Sequence, residues 1–262
     1  MDRFSPLHVL VLLAAAFAAG TINSVAGGGT LLTFPALLAL GLDPKVANAT
    51  STVALWPALV GGLYGYRKEM AGTRELLWRL GAASLVGGGL GAWLLIRTPS
   101  QTFARLVPFL ILFATVLFML HEPINRWVRV GELKTGEAQR KRWWAGAIFF
   151  QFCSAIYGGY FGAGNGILML AAMGLLGLTD IHRANGLKNF LGLALNLVAI
   201  VAFAFSGLVD WRIALMMATA AIAGGYFGAT AARRVGRTTV RRAVVLIGFV
   251  IGVAMLWRTF FG

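Results

Sequence analysis

The stretch Asn23-Ser24-Val25-Ala26-Gly27-Gly28-Gly29-Thr30 breaks an apolar run, and Gly158-Gly159-Tyr160-Phe161-Gly162-Ala163-Gly164-Asn165-Gly166 breaks another. Gly28 and Gly164 stand 136 residues apart. Each break leads into a short apolar segment, residues 30–41 and 166–178. Both are shorter than the ~20 residues that span a bilayer. They are expected to be half-helices or re-entrant segments, which the hydrocarbon tolerates only where protein or a cavity surrounds them. The correspondence continues beyond the breaks. An offset of 136 also sets Leu32 on Leu168, Ala36 on Ala172 and Gly41-Leu42 on Gly177-Leu178. One residue more, 137, sets Ala47-Asn48 on Ala184-Asn185, Gly87-Gly88 on Gly224-Gly225 and Gly91-Ala92 on Gly228-Ala229.

Working outward, ten apolar segments run along the chain, roughly residues 7–25, 30–41, 46–66, 76–96, 103–120, 143–161, 166–178, 184–205, 213–232 and 240–257. They are five segments, repeated. The expected fold is an all-α integral membrane protein of two inverted repeats of about five segments each, with one short glycine-broken helix per repeat. Residues 1–121 form the first repeat, 122–142 a basic cytoplasmic linker and 143–262 the second. An odd number of crossings makes the second copy enter from the opposite side, the plan of many secondary transporters.

Composition agrees. The chain is 58% hydrophobic and 12% charged, against about 45–50% and about 25% in soluble domains. One core could not hide so much apolar surface. Thirty-four glycines suit helices whose backbones approach closely. Gly61/Gly65, Gly87/Gly91, Gly158/Gly162, Gly224/Gly228 and Gly248/Gly252 are read as such contacts. Most tryptophans fall near segment ends, as in an interfacial belt. The net charge of +14 comes as short clusters between apolar runs, which argues for loop charges rather than nucleic-acid binding. With the N-terminus outside, sixteen Lys and Arg fall on the cytoplasmic side and six on the other; the remaining one is Lys188. Cys153, the single cysteine, excludes a disulfide framework and is read as a packed small hydrophobe. The small residues at 14–18 resemble a signal-peptide cleavage site, but that stretch has a counterpart inside the chain and is read as a retained helix.

Candidate site residues lie at the breaks and on the helix that follows each. Glycine permits the break, and amides at a new helix start can face an anion. Gly28, Gly29 and Thr30, with Gly164, Asn165 and Gly166, are therefore candidates. In the second repeat Asn185, Lys188, Asn189 and Asn196 share one helical face. The first-repeat counterparts of the first three are Asn48, Ser51 and Thr52. Such polar faces seldom meet lipid; interhelical hydrogen bonding is the structural alternative. Asn48-Ala49-Thr50 matches a glycosylation sequon, discounted because it lies within the membrane. Lys188 stands out: no acid falls inside a spanning segment to pair with it. An intramembrane charge is a functional candidate by default; the alternative is a side chain that snorkels to the interface. Trp56 and Tyr157 lie near the expected cavity. The histidines, His8, His121 and His182, make no metal-ligand spacing.

Ala26-Gly27-Gly28-Gly29, Pro35-Ala36-Leu37-Leu38, Gly41 and Ala47-Asn48-Ala49-Thr50-Ser51 resemble the first-half signature of the sulfite exporter TauE/SafE family. The second half resembles it through residues 157–164, Ala184-Asn185, Lys188-Asn189 and Gly224-Gly225-Tyr226-Phe227-Gly228-Ala229. The resemblance covers nearly the whole chain. It implies a secondary carrier of small sulfur-containing or organic anions, such as sulfite, thiosulfate, sulfoacetate or other sulfonates. Ala163 and Asn165 stand where many members carry proline and a small hydroxyl residue. A lone Cys153 matches poorly the cysteine chemistry of the thiosulfate-uptake branch.

Together these readings give a secondary-active transporter of the cell inner membrane, working by alternating access on a small anionic solute, with no cofactor and no metal. The membrane potential drives a bare anion outward by about 2.3 kcal/mol per charge per 100 mV. With no intramembrane carboxylate as relay, any proton coupling would travel on a weakly acidic substrate. Rival readings are a passive anion channel, a membrane enzyme and a scaffold. An enzyme needs clustered acid, base or metal groups that the spans lack. Substrate, direction, coupling ion and oligomeric state (monomer or homodimer) are left open.

Overall fold

Residues 5–25, 28–65, 67–68, 70, 72–129, 137–176, 178, 180–235 and 237–260 are described by the computed structural model. Among them are ten α-helices: α1 (Pro6–Val25), α2 (Thr30–Ala39), α3 (Pro44–Gly65), α4 (Arg74–Arg97), α5 (Ser100–Arg129), α6 (Glu137–Tyr160), α7 (Asn165–Leu175), α8 (Ile181–Ser206), α9 (Trp211–Val235) and α10 (Arg237–Phe260). Each falls on one of the ten apolar runs. Helices satisfy their backbone groups internally, which hydrocarbon demands. Four of them, at Pro6–Asn23, Arg74–Arg97, Ser100–Leu120 and Arg183–Ser206, are long and apolar enough to cross a membrane by length and composition. The chain is a multi-pass membrane protein.

Polar residues fix the helix starts. Pro44 opens α3, where a missing N–H costs nothing, and the Asp43 carboxylate accepts from the amides of Lys45 (2.9 Å) and Val46 (3.4 Å). Asp180 does the same for Arg183 at α8 and Asp210 for Ile213 at α9. α5 runs on to Arg129 and α6 begins at Glu137, so helix enters the expected linker from both sides; residues 130–136 lie outside the described ones.

Close backbone approach holds the bundle together. α4 packs on α6 and on α8; α9 packs on α1 and on α3. A Cβ on Gly91 would overlap the Ile156 carbonyl oxygen and lie 2.8 Å from the Tyr160 nitrogen. One on Gly88 would lie 2.7 Å from the Leu195 carbonyl oxygen. Gly159 faces the Gly88 backbone, and Gly224 faces the Phe17 carbonyl, in the same way. α5 and α10 pack antiparallel: Thr115 meets Gly248, Leu112 meets Gly252 and Phe109 meets Phe260.

Two expectations are corrected. Gly61 has no atom within 4 Å of an added Cβ, so it makes no helix contact; its expected partner Gly65, like Gly228, has surroundings outside the described ones. Cys153 is exposed rather than packed, because it faces outward on α6 while Gln151 and Ser154 beside it turn inward. The exposed tryptophans Trp78, Trp93, Trp211 and Trp257 do follow the expectation of segment ends.

The buried core includes a run of edge-on rings. Phe34 of α2 meets Phe161 at 5.2 Å between centroids, and Phe103 of α5 meets Tyr160 of α6 at 5.5 Å. Phe161 also borders the cavity described next.

Candidate functional site

Each short helix, α2 and α7, is preceded by a glycine in the left-handed region, Gly28 at φ 106° and Gly164 at φ 75°. Other residues seldom adopt that conformation. Space compounds the demand at Gly28, where a Cβ would collide with the Phe118 ring. α2 and α7 start just beyond these glycines, and carbonyls of the preceding turn take up most of their first amides: Leu31 donates to Gly28 (3.0 Å), Leu32 to Gly29 (2.9 Å), Asn165 to Gly162 (3.2 Å) and Ile167 to Gly164 (3.0 Å).

The two breaks meet α3 and α8 around a cavity of about 80 Å³. Of the expected site residues, Gly28, Thr30, Thr52, Asn165, Gly166, Lys188 and Asn189 line it. Lys188 decides its character. The side chain is 4% exposed, and its Nζ has no hydrogen-bond partner among the described residues. It does not snorkel; the residue lines the cavity with its Nζ enclosed in the protein, beside Asn189, which is 2% exposed.

The remaining expected residues stand behind the wall. Asn48 donates from Nδ2 to the Tyr160 carbonyl (3.1 Å), joining α3 to α6. The hydroxyls of Ser51 and Thr33 lie 2.6 Å apart, joining α3 to α2. The Gly29 amide, expected to face a ligand, donates instead to Asn23 Oδ1 at 2.7 Å. Gly164 caps α7 without reaching the cavity, and Asn185 is buried outside its lining. Trp56 donates to the Leu193 carbonyl (3.2 Å) and Tyr157 to the Ala163 carbonyl (2.6 Å), so both serve as ties between segments.

Asn23, Leu55, Leu59, Met169 and Gly192 also line the cavity and were not among the candidate site residues; Gly158, read as a helix contact, lines it as well. Asn196 lines it too, as its helical face implied. Asn23 carried a readable signal, being an amide inside an apolar run beside a glycine break. Leu55 and Leu59 carried none, since they look like any lipid-facing leucine.

Hydrogen bonds orient two of the lining amides. With the Gly29 N–H held on its oxygen, Asn23 turns its NH2 elsewhere. Asn165 Oδ1 accepts from Ser154 Oγ at 2.6 Å, which likewise commits its oxygen and leaves its NH2 to donate. That NH2 lies where a Cβ on Gly158 would be, so the absent side chain makes its room. An ammonium and two oriented amide donors around one small space favour an anion.

Comparison with known proteins agrees with the membrane architecture. The profile described as Sulfite exporter TauE/SafE matches residues 12–255. A "Probable membrane transporter protein" of Haemophilus influenzae is 31% identical over 94% of this chain and 94% of its own length. "Probable membrane transporter protein YfcA" of Escherichia coli K12 is 27% identical over 97% of this chain and 91% of its own. "Probable membrane transporter protein YunE" of Bacillus subtilis is 25% identical over 97% of this chain and 100% of its own. No solved structure matches the chain. The chain is a multi-pass inner-membrane transporter protein and belongs to the sulfite exporter TauE/SafE family.

Proposed function

We propose that this transporter is a secondary-active carrier of small organic or sulfur-containing anions, of the sulfite, sulfonate or sulfoacetate type, and that it binds them at Lys188. The observation that carries the reading is the buried Lys188 ammonium, unpartnered among the described residues, on a residue that lines a cavity with no carboxylate among its lining residues. A buried cation without a counter-ion is costly, and an anionic solute relieves that cost. Asn189, Asn165, Asn23 and Thr30, which also line the cavity, supply further polar contacts.

The working cycle is alternating access between two halves of opposite orientation, residues 1–121 and 143–262. Support comes from the repeat register and from the antiparallel packing of α5 on α10, which are equivalent helices of the two halves. Copies pointing the same way would make these two helices parallel. A proton accompanies the solute only if the solute itself carries it.

Counterflow in proteoliposomes tests the proposal. Vesicles loaded with unlabelled sulfite or sulfoacetate should accelerate entry of the labelled anion, and entry should saturate. Flux that rises linearly with concentration and ignores trans anion would make the protein a channel. No flux of any such anion would end the reading.

A further inference from the structure

The cavity is mostly polar where α8 faces it and turns apolar along α3. α8 brings Lys188, Asn189 and Asn196 together with Leu195, while α3 follows Thr52 with Leu55 and Leu59. The repeat register sharpens this contrast. At an offset of 137, Leu55 corresponds to Gly192 and Leu59 to Asn196, and all four line the cavity. Where α3 carries a branched hydrocarbon, α8 carries bare backbone or an amide. The two helices close on each other there: a Cβ on Gly192 would lie 3.6 Å from Leu59 Cδ1. Met169 of α7 and Leu195 of α8, nearly fully buried, add apolar lining from a separate hydrophobic cluster.

A bare oxyanion makes poor use of such a space. Oxygens turned toward Leu55 and Leu59 lose water without gaining a donor. A solute with an acidic group at one end and a short alkyl body at the other matches both sides at once. We propose that Leu55 and Leu59 form an apolar subsite that selects an organic anion with a short alkyl body over an inorganic oxyanion, its acidic group held at Lys188 and Asn189. This rests on the anion-carrier reading above. The register breaks the likeness of the two halves at these positions, so the solute is held in one orientation, head on α8 and body on α3.

Thermal stabilisation of the full-length protein in detergent tests this with sulfite and with methane-, ethane- and propanesulfonate. Each methylene buried in the subsite should tighten binding about 4-fold, as burial of a CH2 does elsewhere. Leu59→Asn should flatten the series, and Leu59→Met should preserve it. Sulfite binding as tightly as propanesulfonate to the unaltered protein would overturn the proposal, even if Leu59→Asn fails to fold. A slope that survives in folded Leu55→Asn and Leu59→Asn would also overturn it. Lys188→Met separates the two readings. It should abolish stabilisation by every anion, and an unchanged series in it would remove Lys188 from the site and the carrier reading with it.

Discussion

Replacing Lys188 by Met should make the empty protein more stable while abolishing its response to anions. Met keeps most of the length of the stem and deletes the ammonium. That ammonium is buried and has no hydrogen-bond partner among the described residues, and no carboxylate lines its cavity. A lysine at the centre of a membrane helix costs roughly 2.5–3.5 kcal/mol. The cavity of about 80 Å³ has room for a few waters, which soften the penalty. The net gain for Lys188→Met is then about 2 kcal/mol, or roughly 4–8 °C in Tm for a chain of this size. An anion at 100 times its Kd would stabilise the unaltered protein by about 2.7 kcal/mol and leave the variant where it was. The two melting curves, followed by tryptophan fluorescence in detergent, should therefore start apart and converge as anion is added. A variant that melts below the unaltered protein without anion, or that rises with anion in parallel with it, would refute the reasoning.

Other substitutions probe the packing and the site's support. Gly91→Ala forces a methyl onto the Ile156 carbonyl and should destabilise by about 1–3 kcal/mol in thermal melts; Gly61→Ala, in open space on α3, should gain about 0.5–1 kcal/mol. Gly158→Ala displaces the Asn165 amide and should weaken anion-dependent stabilisation, read as a raised half-saturation concentration, more than it lowers Tm. Lys45→Met removes the ammonium that donates to the Ile96 (2.9 Å) and Thr98 (2.8 Å) carbonyls at the end of α4, and should cost about 2 kcal/mol of thermal stability. In a Cys153→Ala background, an impermeant maleimide should label Ser100→Cys from outside intact cells and Lys68→Cys only after permeabilisation; the reverse pattern would invert the orientation inferred from loop charge.

The helices were legible because hydrocarbon imposes one rule on every residue of a span. Which face of α3 meets the cavity was not. Asn48, Ser51 and Thr52 lie within one turn and a residue, yet only Thr52 lines the cavity, with Leu55 and Leu59 following at helical spacing. Polarity marks residues that avoid lipid, and both a packed interface and a cavity satisfy that condition. Asn48 and Ser51 find partners on α6 and α2, whereas Lys188 at the position equivalent to Ser51 finds none among the described residues. The amide of Gly29 was expected to be free because helix starts leave amides unpaired, but Asn23 six residues earlier reaches back to accept from it. Cys153 was misread because an apolar run contains both inward and lipid-facing positions.

The crossing of α4 and α6 places backbone directly against backbone at Gly88 and Gly159. Neither surface carries a rotamer there that must be reset when one helix tilts on the other. Such a joint has the form of a plain bearing: it resists separation through many short contacts and has no interlocking teeth. A single methyl at either glycine would put a tooth into it.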